Sequence, residues 1–223
     1  MFNSVARRYD FLNHFLSAGI DYRWRRKAIK ILAKNNPKTI LDVATGTGDL
    51  AIAALKLNPK KVIGVDIAED MVEIGKKKVR EKKLEKIIHI QVGDSEDLQF
   101  NDNTFDAAIV AFGVRNFDNL EKGLSEMYRV LNNNGMVMIL EFSKPTATPV
   151  RQLYQFYFKN ILPFLGRIIS GDNSAYTYLP KSVGEFPMGN EFLRILNKVG
   201  YTDTQHIPLT FGIASIYTGK KLK

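Results

Sequence analysis

The chain has 223 residues, 45% of them hydrophobic and 25% charged, a composition that fills one core and argues against disorder. It contains no cysteine, and its three histidines, His14, His89 and His206, have no partner histidine at ligand spacing. Disulfides, thiolate metal sites and cysteine nucleophiles are thereby excluded, and no metal site is expected. The formal charge of +9 is concentrated in residues 1–38 and in the lysine-rich stretch 70–86, which leaves a solvated basic face, an anionic membrane surface and nucleic acid all open on charge alone.

Charges interrupt every apolar run before the roughly 18–20 residues of a membrane span. The first residues also lack the apolar stretch of a signal peptide, so a cytoplasmic protein is the expectation. Residues 1–223 read as a single domain. Within it, residues 1–38 read as an N-terminal helical cap, with Tyr9, Leu12, Phe15 and Leu16 on one face, then Trp24, Ala28 and Ile31 on a face of a second helix. Thr39–Val43 follows as a strand that runs into a glycine-rich turn, and Asp49–Leu57 as a short helix closed by Asn58-Pro59. Lys61–Asp66 is the second strand; Asp70–Lys83 is a helix with Met71, Ile74 and Val79 inward and its lysines toward water.

Ile87–Val92 and Phe105–Ala111 are the third and fourth strands, Leu120–Leu131 a helix, Asn132–Gly135 a turn, and Met136–Glu141 the fifth strand. Residues 144–188, aromatic and punctuated by proline, read as a helical cover inserted after that strand on the acceptor side. A helix from about Asn190 to Val199 precedes two strands, 202–209 and 213–219, too close in sequence to pair other than antiparallel. The alternation predicts a mostly parallel sheet with helices on both faces and its strand C-termini gathered on one edge, where such folds bind ligands.

The turn Asp42-Val43-Ala44-Thr45-Gly46-Thr47-Gly48-Asp49 sits at the first strand–helix junction. It satisfies the relaxed dinucleotide fingerprint through Gly46, Gly48 and Ala51, so an NAD-dependent oxidoreductase is one reading. Asp66, with Ile67 beside it, ends the second strand, where a carboxylate accepts from ribose hydroxyls in either cofactor class or caps the next helix. Two features favour S-adenosylmethionine: Asp42 and Asp49 suit an ammonium and a sulfonium and repel a pyrophosphate, and Asp94-Ser95 follows the third strand, where an aspartate accepts from an adenine amine. The terminal antiparallel pair also fits the sheet edge of a class I methyltransferase.

Three further segments carry a resemblance: Tyr9-Asp10-Phe11-Leu12-Asn13-His14 through Asp21-Tyr22-Arg23-Trp24; Phe112-Gly113-Val114-Arg115-Asn116-Phe117; and Arg129-Val130-Leu131, Gly135 and Glu141-Phe142-Ser143. Together these resemble the menaquinone and ubiquinone biosynthesis C-methyltransferases, with departures at Leu12, Asp21 and Asn132-Asn133-Asn134. The resemblance implies the class I (Rossmann-like) α/β fold, a seven-stranded mostly parallel sheet with a C-terminal antiparallel pair. It implies S-adenosylmethionine as donor, with S-adenosylhomocysteine as product, held by Thr47, Asp66 and Asp94-Ser95. Where some members have a serine before the Phe-Gly pair, this chain has Ala111, which offers only its backbone.

The acceptor implied is a prenylated quinol methylated on its ring, demethylmenaquinol ahead of the ubiquinone-pathway benzoquinol; other small-molecule acceptors and a non-catalytic adaptor are the alternatives. Arg115 is expected either to stabilise a developing phenolate or to pin its loop by an ion pair, and Asn116 to orient the acceptor or the loop. Tyr176 and Tyr178 are candidates for acceptor contacts, as are Tyr9, Asp21 and Tyr22. The segment 153–169 suits an isoprenoid groove or an internal cover, and with the basic N-terminus it predicts transient contact with anionic lipid at the inner face of the cell membrane. A homodimer is a further expectation. Nucleic acid is not, because Ala111-Phe112-Gly113 replaces the Asn/Asp-Pro-Pro-aromatic loop that grips a flipped base.

Overall fold

The computed structural model describes residues 19–157, 160 and 174–222. Seven strands form one sheet in the order β3-β2-β1-β4-β5-β7-β6. These are β1 (Thr39–Val43), β2 (Lys61–Asp66), β3 (Ile88–Val92), β4 (Phe105–Ala111), β5 (Leu131–Phe142), β6 (Thr202–Leu209) and β7 (Ala214–Lys220). The first five run parallel, and β7 lies antiparallel to both β5 and β6. The mostly parallel sheet expected from the alternation of elements and the antiparallel pair expected from the short β6–β7 connection are both present, in the seven-stranded class I form that the resemblance implies.

Seven helices complete the described fold: α1 (Asp21–Leu32), α2 (Asp49–Ala54), α3 (Glu69–Glu81), α4 (Leu120–Val130), α5 (Val150–Phe156), α6 (Ser174–Glu185) and α7 (Asn190–Val199). Side chains of successive strand residues point to opposite faces, so Ile40 packs with Leu32, Leu50 and Val72 while Leu41 and Val43 pack with Leu124, Met127 and Phe192. The sheet therefore separates two apolar layers, with α1, α2 and α3 on one face and α4 and α7 on the other. Among the described residues no helix is long and apolar enough to cross a membrane.

Several boundaries differ from the sequence expectation for identifiable reasons. The third helix stops at Glu81 because Lys83 turns left-handed, at φ 55°. Asn132–Asn134 belongs to β5 instead of a free turn: the Asn134 amide donates to Lys221 O at 2.7 Å, and the Lys221 amide returns to Gly135 O at 2.9 Å. The buried stripe of α1 is Asp21, Trp24, Arg25, Ala28, Ile29 and Leu32, so two charged residues share the inward face and Ile31 packs only partly buried. Tyr9, Leu12, Phe15 and Leu16, most of the segment 158–173, and the side chains of Tyr176 and Tyr178 lie outside the described residues.

Candidate active site

The sheet reverses its winding between β1 and β4, and a cavity of about 290 Å³ opens at the strand C-termini there. Its floor is the turn after β1. Gly46 and Gly48 adopt φ 56° and 83°, and the Thr45 amide donates to Val65 O at 2.9 Å, which ties the turn to the neighbouring strand. Gly113 completes the floor from the loop after β4; a Cβ there would stand 2.5 Å from the Ala44 Cβ, so the Gly113 backbone packs directly on the Ala44 methyl.

Asp66 closes one side. Its Oδ2 accepts from the Gly46 amide at 2.8 Å and its Oδ1 from the Ala68 amide at 2.9 Å. Burial pushes its carboxyl above the ordinary value against both bonds. Asp66 thus braces the head of α3 as well as the glycine turn, while Asp70 makes no capping bond. Ile67, 69% exposed, extends an apolar side chain at the cavity beside Met71. Asp94 and Ser95 stand at the far end after β3, where Asp94 Oδ1 accepts from the Glu96 amide at 2.8 Å.

Of the cofactor positions read from sequence, Gly46, Thr47, Asp66, Ile67, Asp94, Ser95 and Ala111 line this one cavity. Asp42 and Gly48 stand behind it. Asp42 is 1% exposed, takes the Thr45 hydroxyl on Oδ2 at 2.6 Å, and has no partner for Oδ1. Burial raises its carboxyl to about 7, with the Thr45 bond and the Arg25 charge opposing.

Lys78 does not face water as the helical pattern predicts: its Nζ donates to Thr47 Oγ1 at 2.6 Å and to Asp49 Oδ1 at 3.0 Å, strapping α3 to the glycine turn. Helical spacing gives no sign of this, because Lys78 sits among Lys76, Lys77 and Arg80 on the same helix. Arg25, Phe117 and Asp118 also line the cavity without having been singled out.

On the acceptor side, Asn116 lines the cavity and Arg115 does not. The Arg115 Nη1 donates to Glu141 Oε1 at 2.7 Å and to Phe112 O at 2.6 Å, and Nε donates to Ser182 Oγ on α6 at 3.3 Å. Of the two roles expected for Arg115, this geometry favours the pin over the phenolate contact. Tyr22 is 57% exposed and Asp21 is buried against Arg25; neither lines the cavity. Phe112 lines it instead, backed by the buried rings of Trp24 and Phe142, with ring centroids 4.5–6.2 Å apart.

Comparison with known proteins decides the family. Residues 1–221 match the ubiE/COQ5 methyltransferase family. The chain belongs to that family. A demethylmenaquinone methyltransferase of Bacteroides fragilis is 48% identical over 222 residues, covering 99% of this chain and 91% of the relative. The Geobacter sulfurreducens protein named ubiquinone/menaquinone biosynthesis C-methyltransferase UbiE is 46% identical, covering 99% and 87%.

Solved structures agree at the level of fold. A putative S-adenosylmethionine-dependent methyltransferase of Methanococcus maripaludis superposes with a TM-score of 0.68 at 20% identity, over 99% of this chain and 94% of that one. The [4+2]-cyclase SpnF superposes at 0.62 and 18% identity, over 88% and 81%, so this fold alone does not name a reaction.

The cavity suits the cofactor of a ubiE/COQ5 methyltransferase. Asp49, Asp66, Asp94, Glu96 and Asp118 bring five carboxylates to its lining against one cation, Arg25. A sulfonium and an ammonium are attracted to that surface, whereas a dinucleotide pyrophosphate is repelled. The exposed Ile67 and the neighbouring Met71 give an apolar surface for a purine, and the Asp66 oxygens keep lone pairs for ribose hydroxyls.

Proposed function

We propose that this enzyme transfers the methyl group of S-adenosylmethionine to a ring carbon of demethylmenaquinol, which gives up its ring proton, so that menaquinol, S-adenosylhomocysteine and a proton are formed. The observation that carries this reading is whole-length similarity, 46–48% identity, to demethylmenaquinone methyltransferases of Bacteroides fragilis and Porphyromonas gingivalis. Methylation of the ubiquinone-pathway benzoquinol is the second reading, favoured by the double name of the Geobacter relatives.

When bound, the cofactor supplies a methyl group made electrophilic by a positive sulfur. The protein's part is to place an electron-rich ring carbon in line with it and to keep water away, which supplies most of the acceleration such a displacement needs. Thr47, Asp66, Asp94 and Ser95 hold the donor in this reading, with Asp42 and Lys78 bracing the turn beneath it.

The loop after β4 presents Phe112, Gly113, Asn116 and Phe117 to the cavity. Arg115 holds that loop against β5 and α6, so its contribution is to position Asn116, whose amide orients the acceptor hydroxyl. Phe112, held in place by Trp24 and Phe142 behind it, excludes water beside the quinol ring.

A prenylated acceptor resides in a bilayer, and we place the enzyme in the cytoplasm with transient contact at the membrane face. Exposed Leu153 (70%), Phe156 (56%) and Phe211 (79%) support that contact, together with the chain's net charge of +9. Deleting the gene tests the assignment: cells are expected to accumulate demethylmenaquinone, lighter than menaquinone by one methylene in the mass spectrum. Accumulation of a demethylated ubiquinone precursor selects the second reading.

A further inference from the structure

Among the described residues Arg25 is the one cation lining a cavity otherwise edged by carboxylates. Its side chain is 10% exposed, and Asp21 engages only its Nε, at 3.5 Å. The terminal nitrogens meet no acceptor among the described residues. The guanidinium lies over the Phe112 ring, its Cζ 5.5 Å from the ring centroid. The side chain is largely buried while its terminal donors are left open to the cavity, where a carboxylate can accept from two nitrogens at once.

Position along the sheet edge selects which carboxylate. Strand order places β3 and β2, with Asp94 and Asp66 at their tips, at one end of the cavity and β4 at the other. Phe112 directly follows β4, so Arg25 stands at the end away from Asp94. A ligand with its adenine near Asp94 and its ribose on Asp66 extends its amino-acid end toward Arg25.

We propose that Arg25 is the binding site for the α-carboxylate of S-adenosylmethionine and S-adenosylhomocysteine. The proposal rests on the methyltransferase reading above. It gives the buried Asp21 a purpose: Asp21 orients the guanidinium through Nε and leaves the terminal fork for the ligand. It also accounts for a lone cation among five acids, since the amino-acid end is the one part of this cofactor that carries a negative charge.

Calorimetric titration of the full chain tests it with S-adenosylhomocysteine, its decarboxylated analogue that keeps the amine, and 5′-methylthioadenosine. The wild-type protein is expected to prefer S-adenosylhomocysteine over the decarboxylated analogue by about 10- to 100-fold. Arg25→Met should abolish that preference while holding its affinity for the decarboxylated analogue and for 5′-methylthioadenosine. Arg25→Lys should keep part of the preference, because an ammonium keeps the charge and loses the planar fork.

Equal binding of the two homocysteine-type ligands by the wild type overturns the proposal. So does an Arg25→Met protein that retains the preference, or that weakens all three ligands alike. Emission of the single tryptophan, Trp24, one residue away, reports whether each variant is folded; if Arg25→Met is not, an unreduced preference in Arg25→Lys overturns the proposal. Failure of the wild type to bind any of the three contradicts the methyltransferase reading itself, an outcome distinct from those above.

Discussion

Arg115 on the loop after β4 and Glu141 near the end of β5 form an ion pair of 2.7 Å, with side chains 3% and 0% exposed. Glu141 Oε1 also accepts from the Phe142 amide at 2.8 Å, so this carboxylate binds its own strand and the neighbouring loop together. Removing one partner of such a pair leaves a buried charge uncompensated, at a cost of about 3–5 kcal/mol. Glu141→Ala and Arg115→Ala should each lower the urea midpoint accordingly, and the double variant should lose less than the sum. Additive losses in that cycle would show the pair to be uncoupled.

Asp42 makes stability depend on pH. Its folded carboxyl keeps its proton to about pH 7 because burial disfavours the charge, whereas an unfolded aspartate loses it near pH 4. The folded state therefore binds more protons between those values. The resulting stabilisation is fully present below about pH 4 and falls as pH rises to about 7, by up to about 4 kcal/mol. Asp66, also raised by burial, acts with the same sign. Thermal denaturation of the ligand-free protein should show a midpoint falling from pH 5 to pH 8, and Asp42→Asn should flatten that slope; an unchanged slope contradicts the assignment.

Asp66 should matter to the ligand more than its surface neighbours. Asp66→Ala is expected to weaken S-adenosylhomocysteine by about 10- to 100-fold, the loss of hydrogen bonds to a charged acceptor, whereas Asp70→Ala should leave binding within about twofold. Calorimetry reads both.

Gly113 is a packing constraint and not a flexible joint. A methyl group there would stand 2.5 Å from the Ala44 Cβ, and neither atom can rotate away. Gly113→Ala should separate the two loops that form the cavity floor, destabilise the fold by about 1–3 kcal/mol, and weaken S-adenosylhomocysteine. Wild-type denaturation and titration curves for this variant would show that the loops are not in contact.

Local pattern made most of the frame legible. Thr39–Val43, Lys61–Asp66, Phe105–Ala111 and Thr202–Leu209 are strands with the bounds their apolar runs predict, and the β6–β7 pair follows from chain length alone. The residues after the strand ends were legible as a site because topology brings every parallel strand's C-terminus to one edge. Side-chain partnerships distant in sequence were not. Nothing near Arg115 announces Glu141, 26 residues on. Lys78 reaches back 31 residues to Thr47, and Arg25 enters the cavity only because α1 packs on the sheet face that also carries α2 and α3. Asn132–Asn134 has the local pattern of a turn but joins β5, because Asn134 pairs with Lys221, a contact that no local rule supplies.

The most direct test of the assigned chemistry is a reaction of the purified protein with S-adenosylmethionine carrying a ¹³C methyl group and a short-chain demethylmenaquinol kept reduced. Appearance of one ¹³C methyl on the naphthoquinol ring carbon, with an equal amount of S-adenosylhomocysteine, is the expected result. Tight binding of S-adenosylhomocysteine without labelling of that carbon, or labelling on a ring oxygen instead, would contradict it.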